Sequence, residues 1–165
     1  MTGQVLRLPG EITLAWCPLE GVSGHEAGRQ LLRQLCGGEL PEIAVTDRGK
    51  PYFPDGRFHF SISHTGRHAF CAAASRNIGI DAEEMDRPIR MELSGKILSQ
   101  AELVRFREAE DPREALLRLW VLKEADAKRS GDGLRGYPNH TDFSPEDPRV
   151  LKIAGCYVAV LAEGD

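Results

Sequence analysis

The sequence predicts an α+β domain built on mostly antiparallel sheet. Three observations carry this. Period-two hydrophobic alternation marks several short strands before residue 84, helix start and stop signals cluster between residues 87 and 131, and two apolar strands close the chain. A chain of 165 residues can bury one core and is short of two ordinary domains, so a single compact domain over 1–165 is expected.

Residues 11–17 alternate Ile12, Leu14 and Trp16 with Glu11, Thr13 and Ala15 and read as a strand. A helix follows. Ser23 and Glu26 form its capping box, Gly37 and Gly38 stop it, and Ala27, Leu31, Leu32 and Leu35 line its apolar face. Residues 43–46 read as a short strand and 47–51, with the sequence DRGKP, as a loop. Residues 58–63, 68–75 and 78–83, joined by turns at 64–67 and 76–77, read as an antiparallel meander. Arg87-Pro88 ends the sheet region. A second capping box (Ser99, Glu102) and a third start (Asp111, Pro112, Glu114) open two helices, the later one running to about Arg129 and stopped by Gly131. Residues 150–154 and 156–162 are the closing strands.

Composition bounds the function. Apolar residues make up 41 % and charged residues 28 %, with 21 basic against 25 acidic side chains and a net charge of −4. That is a globular composition without the basic face that non-specific nucleic-acid or anionic-membrane binding needs. Neither a nucleic-acid nor a membrane partner is expected, while a local basic pocket for a phosphorylated small molecule remains compatible. No apolar run is long enough to span a bilayer, and residues 1–10 carry no stretch of signal-peptide length, so the cytoplasm is the expected location. Cys17, Cys36, Cys71 and Cys156 form no C-x-x-C pair and lie in or beside apolar runs. They read as reduced, buried thiols rather than a zinc site or disulfide scaffold.

Four short patterns bear on chemistry. In Gly79-Ile80-Asp81-Ala82-Glu83 the strand period puts Asp81 and Glu83 on one face, roughly 7 Å apart. Adjacent anions repel unless a cation joins them, and a hard divalent ion does so with oxygen ligands; taken alone, the pair is also what a solvated strand end looks like. Trp120, Glu124 and Lys128 recur every fourth residue and share a helix face, as core and surface ion pairs also do. Ser63-His64-Thr65 precedes a glycine turn and offers phosphate donors. Gly49-Lys50-Pro51 is a glycine-flanked lysine in a loop, without the spacing of a P-loop.

The ordered set GKP, SHT, G-I-D-A-E, W-x-x-K-E-x-x-x-K and Gly131-x-Gly133-Leu134 resembles the 4′-phosphopantetheinyl transferase superfamily, of the surfactin-synthetase-activating type, from about His25 to Leu134. The resemblance implies a fold of two similar halves, a pseudo-dimer with boundaries near 1–75 and 76–165, and a monomer. It implies Mg²⁺-dependent transfer of 4′-phosphopantetheine from coenzyme A to a serine of an apo acyl or peptidyl carrier protein, releasing adenosine 3′,5′-bisphosphate. Mn²⁺ is the alternative metal. Asp81, Glu83 and Glu124 resemble the metal ligands. Lys50, Ser63, His64, Thr65, Arg29, Lys123 and Lys128 match coenzyme A contacts, Arg29 on a looser alignment. Glu124, Lys128 and His64 are the catalytic candidates, and the sequence does not separate ligand from base for Glu124. Arg87, Arg90, Lys96, Arg105 and Arg107, interleaved with Met91, Leu93, Ile97 and Leu98, lie where the family docks its carrier. The chain departs from the pattern in being shorter than that type, and in having Ala82 between the two acids and Ile97-Leu98 near the docking segment. A non-catalytic module binding coenzyme A or a carrier is the alternative reading.

Overall fold

Alternation along residues 12–18 buries Ile12 and Leu14 on one face of a strand and Ala15 and Cys17 on the other. That two-sided burial makes this strand central rather than an edge. In the computed structural model, which describes residues 3–132 and 141–164, it is β2 (Ile12–Pro18), paired with β1 (Gln4–Leu8) on one side and β6 (His68–Ala74) on the other. β5 (His59–His64) completes a four-stranded antiparallel sheet in the order β1-β2-β6-β5. The segment after β2 forms α1 (Gly24–Leu35), with the Ser23 hydroxyl accepting from the Glu26 N–H as the sequence motif requires.

A second sheet orders β7 (Ile78–Glu84), β9 (Cys156–Ala162) and β8 (Val150–Ile153) as β7-β9-β8, again antiparallel. Between β7 and β8 run a 3₁₀ turn (Met91–Leu93), α2 (Ser94–Ile97), α3 (Gln100–Glu108) and α4 (Pro112–Ser130). Gly131 ends α4 with φ +75°, the left-handed cap that glycine adopts without steric cost. A two-strand ribbon pairs β3 (Ala44–Val45) with β4 (Pro51–Tyr52), so the DRGKP loop is the tip of a hairpin.

Three cores fill the layers. α1 packs Leu31 and Leu32 with Phe53, Phe60 and Cys71 on the outer face of the first sheet. Leu14, Phe70, Ile78, Ile80 and Val158 form a core between the two sheets. α3 and α4 cover the outer face of the second sheet through Leu103, Leu116, Leu119 and Leu122. The four cysteines are free thiols.

One expectation is corrected. Residues 58–83 are not one meander, because β7 pairs with β9 in the second sheet. It lies beside β5 through side chains instead: Ser61 Oγ accepts from the Ile80 N–H at 3.1 Å and Ser63 Oγ from the Ala82 N–H at 3.2 Å. Two serine hydroxyls thus stand in for a backbone ladder and stitch the sheets edge to edge. β1, whose side chains are mostly exposed, is an added strand. Gly133 and Leu134 of the last motif lie outside the described residues.

Candidate active site

β7 and α4 meet without a side chain between them at Gly79. A Cβ there would sit 2.0 Å from the Ala125 carbonyl oxygen and 2.5 Å from the Arg129 nitrogen, so only glycine permits the approach. The next residues on that strand face are Asp81 and Glu83, and the facing side of α4 carries Trp120, Glu124 and Lys128.

Asp81 is 7 % exposed. Its Oδ1 accepts from Lys128 Nζ at 2.7 Å and from the Ser63 hydroxyl at 3.1 Å. Its Oδ2 is buried with no hydrogen-bond partner among the described residues. Burial pushes the Asp81 pKa up, opposed by the charge and hydrogen bond of Lys128. Glu83 Oε1 accepts from the Trp120 indole N–H at 3.2 Å and from the Arg87 guanidinium. Glu124, half-buried, is pushed up to about 7, first by desolvation and then by the charge of Asp81, against the pull of Lys128. A cavity of about 380 Å³ opens beside these groups, walled by Arg48, Gly49, Lys50 and Pro51 from the hairpin tip, Phe60, Ser61 and Ile62 from β5, and Glu124, Ala127, Lys128 and Gly131 from α4 and its cap.

The structure therefore brings together Asp81, Glu83, Glu124, Lys128 and Ser63, with the stem of Lys50 on the cavity wall. It places the other candidates elsewhere. Lys123 is 2 % exposed and paired with the fully buried Glu102 at 2.8 Å, facing α3 rather than the cavity. Its neighbour Glu124 lies about 100° around the helix, which is why adjacent motif residues serve opposite sides. Thr65 Oγ1 accepts from the backbone N–H groups of Arg67 and His68 and closes the β5–β6 turn. His64 is exposed, with its ring against Gly24 at the start of α1: a Cβ on Gly24 would lie 2.4 Å from the His64 Cγ. Arg29 is exposed on α1. Ser63 reaches the acids rather than open space, since its hydroxyl bridges Ala82, Asp81 and Lys128.

Sequence reasoning missed Asn77 and the Trp120–Glu83–Arg87 contact. The available signal for the latter was Trp120 sharing a face with Glu124, which is equally a core pattern.

Among the described residues no three His, Cys, Asp or Glu side chains converge in ligating geometry. Asp81 and Glu83 are instead each paired with a cationic side chain, Asp81 with Lys128 and Glu83 with Arg87. The residues nonetheless fit a hard divalent ion: Asp81 Oδ2 is buried without a partner, and the donors are carboxylate oxygens.

The model of the 4′-phosphopantetheinyl transferase superfamily matches residues 77–156, the stretch that holds β7, α4 and the acids. The chain belongs to this superfamily. It is 37 % identical over 95 residues to 4′-phosphopantetheinyl transferase Sfp of Bacillus subtilis, covering 56 % of this chain and 42 % of that protein. It is 31 % identical over 143 residues to 4′-phosphopantetheinyl transferase HetI of Nostoc sp., covering 78 % and 60 %. As a member of the superfamily, it spans about two-fifths to three-fifths of the length of these curated relatives.

Proposed function

We propose that this chain is a Mg²⁺-dependent 4′-phosphopantetheinyl transferase, moving the phosphopantetheine arm of coenzyme A onto a serine of an apo acyl or peptidyl carrier protein. The observation that carries it is the buried, unpartnered Asp81 Oδ2, whose carboxylate is bonded through Oδ1 to Lys128, a residue that lines the cavity together with Glu124. Both named relatives are 4′-phosphopantetheinyl transferases, which supports the same reading.

In this proposal Asp81, Glu83 and Glu124 would hold the metal, which would supply charge neutralisation at the pyrophosphate oxygens. The serine oxygen attacks the β-phosphorus of coenzyme A. A new P–O bond forms, the pyrophosphate P–O bond breaks, and adenosine 3′,5′-bisphosphate leaves with the bonding pair. Glu124 takes the serine proton, directly or through water. Lys128 stands 2.7 Å from Asp81 and supplies positive charge to the departing phosphate. His64, beside the amino end of α1, presents a donor where a helix terminus also favours anions. The cavity of about 380 Å³ orients the donor. The carrier docks on the 3₁₀ turn and α2, beside a groove lined by Arg90, Glu92, Leu93 and Lys96. The proposal keeps the monomeric, cytoplasmic reading, with the donor and acceptor as its only partners. Among the described residues no helix is long and apolar enough to cross a membrane.

The test is transfer from labelled coenzyme A to a panel of apo carriers, with and without Mg²⁺, read as the mass gain of the carrier. Failure with every carrier overturns it. The engagement of Glu83 with Arg87 and Trp120 favours a second reading, a module that binds coenzyme A without reacting; calorimetric binding with no product selects it.

A further inference from the structure

We propose that Lys50 is a positioning residue rather than a phosphate ligand: its ammonium, together with Asn77 and Gly79, fixes the last turn of α4 against β7 and so sets where Glu124 and Lys128 stand relative to Asp81. The inference rests on the transferase reading for its activity arm only.

An ammonium group carries three protons and no acceptor. At Lys50 all three have partners. Nζ donates to Asn77 Oδ1 at 2.5 Å, to the Arg129 carbonyl at 2.5 Å and, at a longer 3.4 Å, to the Ile78 carbonyl. None of these is a carboxylate, and two are backbone groups of the elements that carry the acids and the helix face. The Arg129 carbonyl lies in the last turn of α4, where carbonyls lack helical partners and attract positive charge. Asn77 completes the clasp, its Nδ2 donating to the same carbonyl at 2.8 Å. Two residues later Gly79 lets β7 touch the helix backbone, and two further on stands Asp81.

The rest of the lysine is equally committed. Its N–H donates to Thr46 Oγ1 at 3.1 Å and its carbonyl accepts from the Thr46 N–H at 2.9 Å, so the hairpin tip holds the backbone. Its stem crosses Gly131, where a Cβ would lie 3.3 Å from Cδ. Burial and the Arg129 guanidinium pull its pKa down to about 8, as for a desolvated cation facing neutral acceptors. A lysine that served a phosphate would need at least one proton directed at the ligand. This one would have to abandon the clasp to provide it.

The consequence is that a shift of α4 along β7 moves Glu124 and Lys128 together. Misplacement of a catalytic group by about 1 Å costs on the order of 100-fold in rate.

Lys50→Met, Asn77→Ala and the double variant would be compared with wild type. The measurements are the calorimetric Kd for coenzyme A at two salt concentrations, kcat and KM for carrier modification at 20 °C, and the thermal midpoint. The expected result for Lys50→Met is a kcat lowered at least tenfold, a coenzyme A Kd within threefold of wild type with unchanged salt dependence, and a lowered midpoint. Asn77→Ala should fall in the same direction, and the double variant should lose less than the sum of the two, because both donors serve one carbonyl. A coenzyme A Kd weakened tenfold or more in Lys50→Met, with the midpoint unmoved and Asn77→Ala silent, overturns the proposal. If Lys50→Met does not fold, Asn77→Ala decides by the same split. If wild type neither binds coenzyme A nor modifies any carrier, the transferase reading fails, while the midpoints of the three variants still decide the clasp.

Discussion

In the proposed transfer Asp81 is the residue on which the chemistry turns, and it and Glu124 each make an outcome testable. It is buried, holds Lys128 with one oxygen, and leaves the other without a partner. Asp81→Ala is expected to reduce carrier modification at least 1,000-fold while coenzyme A still binds, since the cavity walls do not include Asp81; a variant retaining wild-type turnover would remove the metal assignment. Glu124 provides the pH test. Its pKa in the fold, about 7, lies above the ordinary glutamate value of 4.5. Between those values the folded state holds the proton more tightly than the unfolded state, so stability falls as pH rises from 4.5 through 7. In chelator-treated protein, the urea midpoint of wild type should therefore decline between pH 5 and pH 8 relative to that of Glu124→Gln. Parallel curves for the two proteins would contradict the raised pKa.

At the scale of elements, α4 is the part whose sequence says most and also misleads. Its cap at Asp111, its proline start and its Gly131 stop are local signals, and the structure has all three. Which side each motif residue faces is not local. Lys123 and Glu124 are neighbours in sequence, yet one closes a buried pair with Glu102 and the other faces β7. Nothing in the motif spacing separates a ligand lysine from a buried one, because the partner is supplied by α3. Glu102 shows the same limit. Its capping-box role with Ser99 is legible, whereas its acceptance of the Phe143 N–H at 2.9 Å and of Lys123 depends on packing. Breaking a buried pair by removing one partner costs about 3–5 kcal/mol, while a hydrophobic replacement of both is often tolerated. Lys123→Met should thus lower the thermal midpoint strongly, the Glu102→Leu/Lys123→Met double variant should recover part of the loss, and the coenzyme A Kd should stay within threefold in every variant that folds. A selective loss of affinity at an unchanged midpoint would return Lys123 to the ligand.

The whole molecule repeats one connectivity. In the first half a strand (β2), a helix (α1) and two further strands (β5, β6) form a sheet ordered β2-β6-β5; in the second, β7, α4, β8 and β9 form β7-β9-β8. In each, the last strand sits between the other two. On this ground we propose the two similar halves, divided near residue 75, that the motifs implied only through the family. The pattern was hidden in the sequence because β1 and the β3–β4 hairpin are inserted in one half and the 3₁₀ turn, α2 and α3 in the other. β1 was itself illegible, since its exposed side chains leave no alternation to read. The halves are nevertheless not independent. Leu14 and Phe70 from one sheet and Ile78, Ile80 and Val158 from the other share a single core, and Ser61 and Ser63 carry backbone N–H groups of β7 that would otherwise be buried unpaired. Each half alone would expose that apolar face to water and leave those groups without acceptors, losses that together exceed the margin of a small domain. Fragments 1–75 and 76–165 made separately should therefore lack dispersed amide spectra and cooperative melting, while the intact chain should melt in one transition. A cooperative melt from either fragment would show that the shared core is dispensable and that the site lies between two self-sufficient units.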